Sequence, residues 1–107
     1  MWSMMVEVFR ADSPPGLRQH NDFIEAVYIK GNMGGLVIIK LQAGEQAAHV
    51  HEQEHIGVVL EGEFSFTDDE KETVLRAGDV YRVPPNVRHG VRCTDRALII
   101  QARADIK

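Results

Sequence analysis

Three of the five histidines in the 107-residue chain fall within seven positions, His49-Val50-His51-Glu52-Gln53-Glu54-His55. A fourth, His89, follows the turn-forming stretch Pro84-Pro85-Asn86, and His20 stands apart. In an extended chain, side chains two residues apart leave the same face, so His49 and His51 present two imidazoles about 6 to 7 Å apart along the strand. That spacing suits chelation of one ion. A turn through Glu52 to Glu54 brings His55 toward the same point from a neighbouring direction, which makes it a candidate third ligand. A lone histidine in a β protein is more often a satisfied core or surface residue, and His20 is read that way.

The elements that must position these side chains are short strands. Turn signals recur closely: Gly31-Asn32, Gly34-Gly35, Gly44, Gly62, Thr67-Asp68-Asp69, Ala77-Gly78-Asp79, Pro84-Pro85-Asn86 and Thr94-Asp95, with an earlier cluster at Asp12-Ser13-Pro14-Pro15-Gly16. Between them lie runs rich in Val, Ile, Phe and Tyr at 5–9, 23–30, 36–42, 55–60, 63–67, 73–76, 80–83, 87–91 and 97–102, which predict about nine strands. No stretch sustains the apolar spacing of an amphipathic helix over three turns. The chain is therefore expected to be all-β. Many short antiparallel strands in one small domain avoid long open edges by closing into a barrel or a two-sheet jelly roll. The segments 64–67 and 73–75, joined through Asp68-Asp69-Glu70-Lys71, read as a hairpin with a solvated, charged tip.

Length and charge bound the function. A chain of 107 residues builds a single domain, spanning 1–107, with one core. Twelve Lys and Arg against sixteen Asp and Glu leave a net charge of −4, which opposes nucleic acid and anionic membrane, so neither is expected as a partner. The longest apolar run, Leu36-Val37-Ile38-Ile39, ends at Lys40, far short of the roughly 20 residues that span a bilayer. The one cysteine, Cys93, excludes an internal disulfide, and nothing in the sequence has the make-up of a secretion signal. The expected location is cytoplasmic.

Two stretches resemble the signature motifs of the cupins. Residues 44–62, with Gly44, His49, His51 and Leu60-Glu61-Gly62, resemble the first motif, Gly-x5-His-x-His-x3-4-Glu-x6-Gly. Residues 78–93, beginning Gly78-Asp79 and running through Pro84-Pro85-Asn86 to His89, resemble the second, Gly-x5-Pro-x-Gly-x2-His-x3-Asn. The resemblance covers residues 44–93 and implies a double-stranded β-helix, the cupin jelly-roll barrel. There are departures. Gly44 stands one residue closer to His49 than in the pattern, Asn86 replaces a glycine, Cys93 stands where asparagine is usual, and His55 occupies the place of the metal-binding glutamate. Asparagine tolerates the left-handed backbone that glycine supplies, so the Asn86 change is mild.

Carried over by that resemblance, the metal ligands are His49, His51, His55 and His89, a set similar to the four-His manganese-type small cupins. The implied cofactor is one divalent transition metal (Mn, Fe, Ni, Cu or Zn), since affinity alone does not select among them. Four neutral imidazoles leave the centre one charge more positive than a carboxylate would, which favours an enol or carbonyl compound chelating through two oxygens. The expected activity is metal-dependent and dioxygenase-like, on a small-molecule substrate. The alternatives are an isomerase on sugar-derived uronates, similar to the pectin-degradation monocupins, and a non-catalytic small-molecule or sugar-binding cupin. Gln101 stands on the last strand where the uronate group usually carries an acidic residue. Small cupins usually pair through strand edges, so a homodimer is expected.

Several polar residues carry open alternatives. Gln53, Glu54 and Glu61 are candidates to orient the imidazoles, with solvation as the simpler reading. Arg82, Arg88 and Arg92 flank the second motif and are candidates to steer an anion to the mouth of the site, with solvation as the simpler reading. Glu25 is expected to face water, and Tyr28 either water or a pocket. Gln101 and Arg103 alternate with Ile100 and Ala102, and one of these two sets must face inward. Cys93 reads as a small buried residue.

Overall fold

A computed structural model describes residues 6–8, 17–68 and 71–104, and for 17–20 the backbone only. Seven strands are present among the described residues: β1 (Leu17–His20), β2 (Ile24–Gly31), β3 (Gly34–His49), β4 (His55–Thr67), β5 (Glu72–Arg76), β6 (Val80–Val83) and β7 (His89–Arg103). No helix occurs among the described residues. The all-β expectation holds, and the pairings are antiparallel throughout, in the order β1-β2-β3-β7-β4-β5 with β6 on β4. Among the described residues no helix is long and apolar enough to cross a membrane.

Among the described residues the nine expected strands become seven: two pairs of them are continuous, the one over 5–9 is not seen, and β1 (Leu17–His20) was not expected. Segments 55–60 and 63–67 are both β4, and 87–91 and 97–102 merge into β7. Gly44, Gly62 and Thr94-Asp95 are not breaks in the chain but bends within strands. The β3–β7 register shifts between Gln42 and Gly44, and the β4–β7 register shifts between Val59 and Glu61 and between Gly62 and Ser65. A bulge adds a residue to one strand and turns it sharply without ending its ladder. At Gly62, φ is +74°, and a Cβ there would run into the Arg96 carbonyl oxygen of β7. Only glycine allows that approach at the bend. The strand expected over 5–9 lies largely outside the described residues, and residues 6–8 carry no strand. The tip residues Asp69 and Glu70 also lie outside them, while β4 and β5 pair on either side, from Glu63 opposite Arg76 to Thr67 opposite Glu72.

Bent in this way, the three long strands bring both of their ends to one cavity. The β3–β7 ladder begins with Gly35 opposite Arg103 and ends with His49 opposite His89, so β3 pairs with β7 almost end to end. His89 from the start of β7 and Arg103 from its end line the same cavity. The core packs beneath it: Leu41, Val59, Phe64, Leu75, Tyr81, Val83, Cys93, Ala97 and Ile99 form one buried cluster. Leu41, Phe64, Tyr81, Val83 and Ile99 of that cluster also floor the cavity.

Candidate metal centre

His49 closes β3 and His89 opens β7, and the two stand directly opposite each other in the ladder. A further register irregularity, between Gln46 and His49, lets both residues line the cavity although they are three apart. His51 follows in the loop before β4, and His55 is the first residue of β4, opposite Val83 of β6. The Pro84-Pro85-Asn86 turn ties these pieces together. Asn86 N donates to the His51 carbonyl at 2.7 Å, and Asn86 itself has φ +63°, the left-handed backbone expected of a residue in a glycine position. Three residues later the chain reaches His89.

The rings of His49, His51 and His89 converge. Their centroids lie 4.5 Å (His49–His51), 4.7 Å (His49–His89) and 4.8 Å (His51–His89) apart, and one ligand nitrogen from each falls within 4.8 Å of the others. Ligands at right angles on an ion with metal–nitrogen bonds of about 2.1 Å hold their ring centroids about 4.5 Å apart. The three rings are thus gathered around one point, close enough to serve a single ion. His55 does not join that closest group. It packs edge-on against His51, with 4.2 Å between centroids, and is 4% exposed. Its Nε2 and that of His51 are buried and form no hydrogen bond with the described residues. A buried polar atom in that state calls for an explanation such as a water or an ion.

The orienting partners are backbone carbonyls. His49 Nδ1 lies 3.0 Å from the Ala47 carbonyl oxygen, and His89 Nδ1 lies 2.9 Å from that of Val87, the same two-residue step in both cases. An N–H donated there fixes the tautomer and leaves Nε2 as the lone-pair donor. Burial, and then the facing His49, pull the His89 pKa below its ordinary value, while the Val87 carbonyl acts in the opposite sense. Neutral imidazole, the form that ligates, is favoured. The donor set therefore fits a divalent transition metal.

The acidic candidates serve elsewhere. Glu54 pairs with Arg82, Gln53 and Glu61 are exposed, and Arg92 bridges Glu45 and Glu72 on the outer surface. Arg88 is exposed as well. Cys93 is buried and directs Sγ to the Glu63 carbonyl, and burial raises its thiol pKa. Such a thiol is inert. His20 ends β1, and its side chain lies outside the described residues.

The cavity measures about 380 Å³ and combines an apolar wall with the histidines, Tyr28, Tyr81, Gln101 and Arg103. On β7, Gln101 is buried and Ala102 exposed, so Gln101 and Arg103 belong to the inward set. Glu25 is half-buried and is not part of the lining. Sequence reasoning had no means of finding Tyr81. It sits on β6 among apolar neighbours and donates its hydroxyl to Gln101 Oε1 at 2.5 Å. Burial holds its phenol well above the ordinary range, so it stays protonated.

Comparison with known proteins agrees with this architecture. No curated protein matches the chain. Among solved structures, an RmlC-like cupin from Shewanella frigidimarina NCIMB 400 is similar at 26% identity, with a TM-score of 0.76 over 95% of this chain and 94% of the other. KdgF from Halomonas sp. matches at 21% identity and a TM-score of 0.73, covering 92% and 94% of the two chains. A putative ethanolamine utilization protein Q from Salmonella typhimurium LT2 matches at 15% and 0.78, covering 95% and 88%. The Cupin domain family matches residues 35–100. With that match across β3 to β7 and three histidines gathered at the mouth of a jelly-roll barrel, the chain belongs to the cupin domain family.

Proposed function

We propose that the chain is a metal-dependent enzyme acting on a small enol or carbonyl compound in a dioxygenase-like oxidation. In this reading His49, His51 and His89 hold one divalent transition metal (Mn, Fe, Ni, Cu or Zn), with His55 as fourth ligand. The observation that carries it is the convergence of three imidazoles, two of them oriented by carbonyls, at a cavity of about 380 Å³. A bound metal of this kind supplies Lewis acidity and positions for a bidentate oxygen ligand. The chain's own residues do the rest. The carbonyls of Ala47 and Val87 hold the imidazoles in the ligating tautomer, and Phe64, Phe66 and Val91 exclude water from the inner wall. No carboxylate is present in the described lining to serve as internal base, so proton transfer falls to water or a cavity hydroxyl. Elemental analysis of protein purified without chelator, followed by oxygen-uptake assays over a panel of enols and hydroxy-carbonyl compounds, tests the reading. Metal at one equivalent with substrate-dependent oxygen uptake supports it, and turnover unchanged by removing oxygen overturns the dioxygenase-like reaction.

One observation favours a second reading, an isomerase on sugar-derived uronates. Arg103 is a cation in the cavity wall, where a carboxylate substrate needs one. Isomerisation of a uronate without oxygen would establish it, and ligand binding without turnover of either kind would leave a sugar- or small-molecule-binding cupin.

We also keep the homodimer as the proposed assembly. The outer face carries exposed Leu36 and Ile56 beside the cross-strand row Ile38, Ile100, Val58 and Val80, the last also exposed. A second copy would cover this apolar surface. A solution mass of 12.0 kDa would reject it.

A further inference from the structure

The pair formed by Tyr81 and Gln101 lies inside the cavity and takes no part in holding the histidines. Both residues are buried, at 8% and 6% exposure. The sheet explains why they meet. Gly57 of β4 stands opposite Gln101 on one side and opposite Tyr81 on the other. A Cβ at Gly57 would run into the Tyr81 ring, so the glycine is the gap through which the phenol reaches across to β7. The hydroxyl donates to Gln101 Oε1 at 2.5 Å.

That bond decides which end of the amide faces the ligand. With Oε1 accepting from Tyr81, the two N–H groups of Nε2 are turned elsewhere. The phenol engages Oε1, so Nε2 is the end of the amide left for another partner. Gln101 lines the cavity, and with Oε1 engaged Nε2 is the donor it has to offer there. Its place relative to the histidines follows from the ladder. Gly57 lies two residues beyond His55 on the same face of β4, and Gln101 is its cross-strand neighbour, so the donor sits about 6 to 7 Å along the strand from the histidine end.

Resting on the metal-dependent reading, we propose that Gln101 Nε2 selects the substrate by donating a hydrogen bond to an acceptor oxygen remote from the chelating end, with Tyr81 as the positioning residue that holds the amide in that sense. The substrate class is then a small oxo or hydroxy acid or enol carrying two chelating oxygens and, a few bonds away, a further oxygen acceptor. A ligand lacking that oxygen leaves a desolvated N–H without a partner, which is the strongest basis a polar pocket has for rejecting an analogue.

The test compares two probes on the cobalt(II)-loaded protein: 2-oxoglutarate, with a distal carboxylate, and 2-oxopentanoate, which has the same chelating end and no distal acceptor. Dissociation constants come from the visible absorption of the cobalt. Cobalt stoichiometry is measured first, and failure to load overturns both the metal reading and this one. In the loaded protein, 2-oxoglutarate should bind about tenfold more tightly or better. Gln101→Leu should abolish that preference while leaving 2-oxopentanoate unchanged. Gln101→Glu keeps an acceptor for Tyr81, and hence the fold, but offers no donor, so it should reverse the preference. Tyr81→Phe should narrow it by releasing the amide. A preference that survives both Gln101→Leu and Gln101→Glu places the distal contact on Arg103 and overturns the proposal, as does the absence of any preference in the loaded parent protein.

Discussion

His49 and His89 face each other across the β3–β7 ladder, with ring centroids 4.7 Å apart and ring planes tilted by 50°. Each is held by the carbonyl two residues before it. Two of the candidate ligands are therefore fixed by backbone that belongs to extensively paired strands, and His51 is added by a loop tied to the Pro84-Pro85-Asn86 turn.

Replacing either of these ladder histidines should be felt as metal loss rather than unfolding. His49→Ala and His89→Ala are expected to weaken divalent metal binding by more than about 100-fold, beyond the 10- to 100-fold typical of changes to a ligand's hydrogen-bond partner. His20→Ala should retain full stoichiometry. Titration calorimetry with zinc and nickel checks both, and full affinity in His89→Ala would refute the ligand set.

His55 offers a test of site charge. His55→Glu puts a carboxylate where the related motif has one, so metal should remain while oxalate, a bidentate anion, binds more weakly because the centre carries one positive charge less. Loss of the metal in this variant, or tighter oxalate binding, would contradict the fourth-ligand role.

The metal-free protein should lose stability on mild acidification through His89. Its pKa lies below the ordinary value in the folded state, first because it is buried and second because it faces His49. Below about pH 6.5 the unfolded chain takes up a proton that the folded one refuses, so unfolding is favoured as pH falls toward the depressed value. Urea midpoints measured from pH 7.5 to 5 should fall, and the fall should be shallower in His89→Gln.

Tyr81 acts in the opposite direction at alkaline pH. Its phenol pKa is raised by burial, so above about pH 10 the unfolded chain ionises while the folded one keeps its proton. The folded state is favoured in full below that value and loses ground as pH rises past it. Denaturation at pH 9 and pH 11 should show this loss in the parent protein and a smaller one in Tyr81→Phe.

At the β4 bend, Gly62→Ala should destabilise the fold by at least about 1 to 3 kcal/mol, since it combines a left-handed backbone with a clash against the Arg96 carbonyl. Gly78→Ala is the control. Its φ of +95° carries the backbone cost, but a Cβ there meets nothing within 4 Å. Thermal melts of equal depression in the two variants would show that the close approach at Gly62 carries no cost of its own.

The sequence by itself determined the strand-rich class, the cupin resemblance and the histidines to examine, because alternation, turn residues and ligand spacing are local properties of the chain. The Asn86 substitution was also legible, since its left-handed backbone is a property of one residue and its side chain. What only the tertiary structure decided depends on pairing. Gly44 and Gly62 read as turns, yet a glycine that ends a strand and one that bends it look alike until a partner strand is in place. On β7 the residues Ile99, Ile100, Gln101, Ala102 and Arg103 carry no clean alternation, so which set faces inward was undecided. Closure of the barrel buries Gln101 and leaves Ala102 outside. Tyr81 is 20 residues from Gln101 in the chain and meets it only because Gly57 lies between them in the sheet. Likewise the ligand orienters are carbonyls, which every residue carries, so no choice of side chain could announce that Ala47 and Val87 would hold the histidines in place.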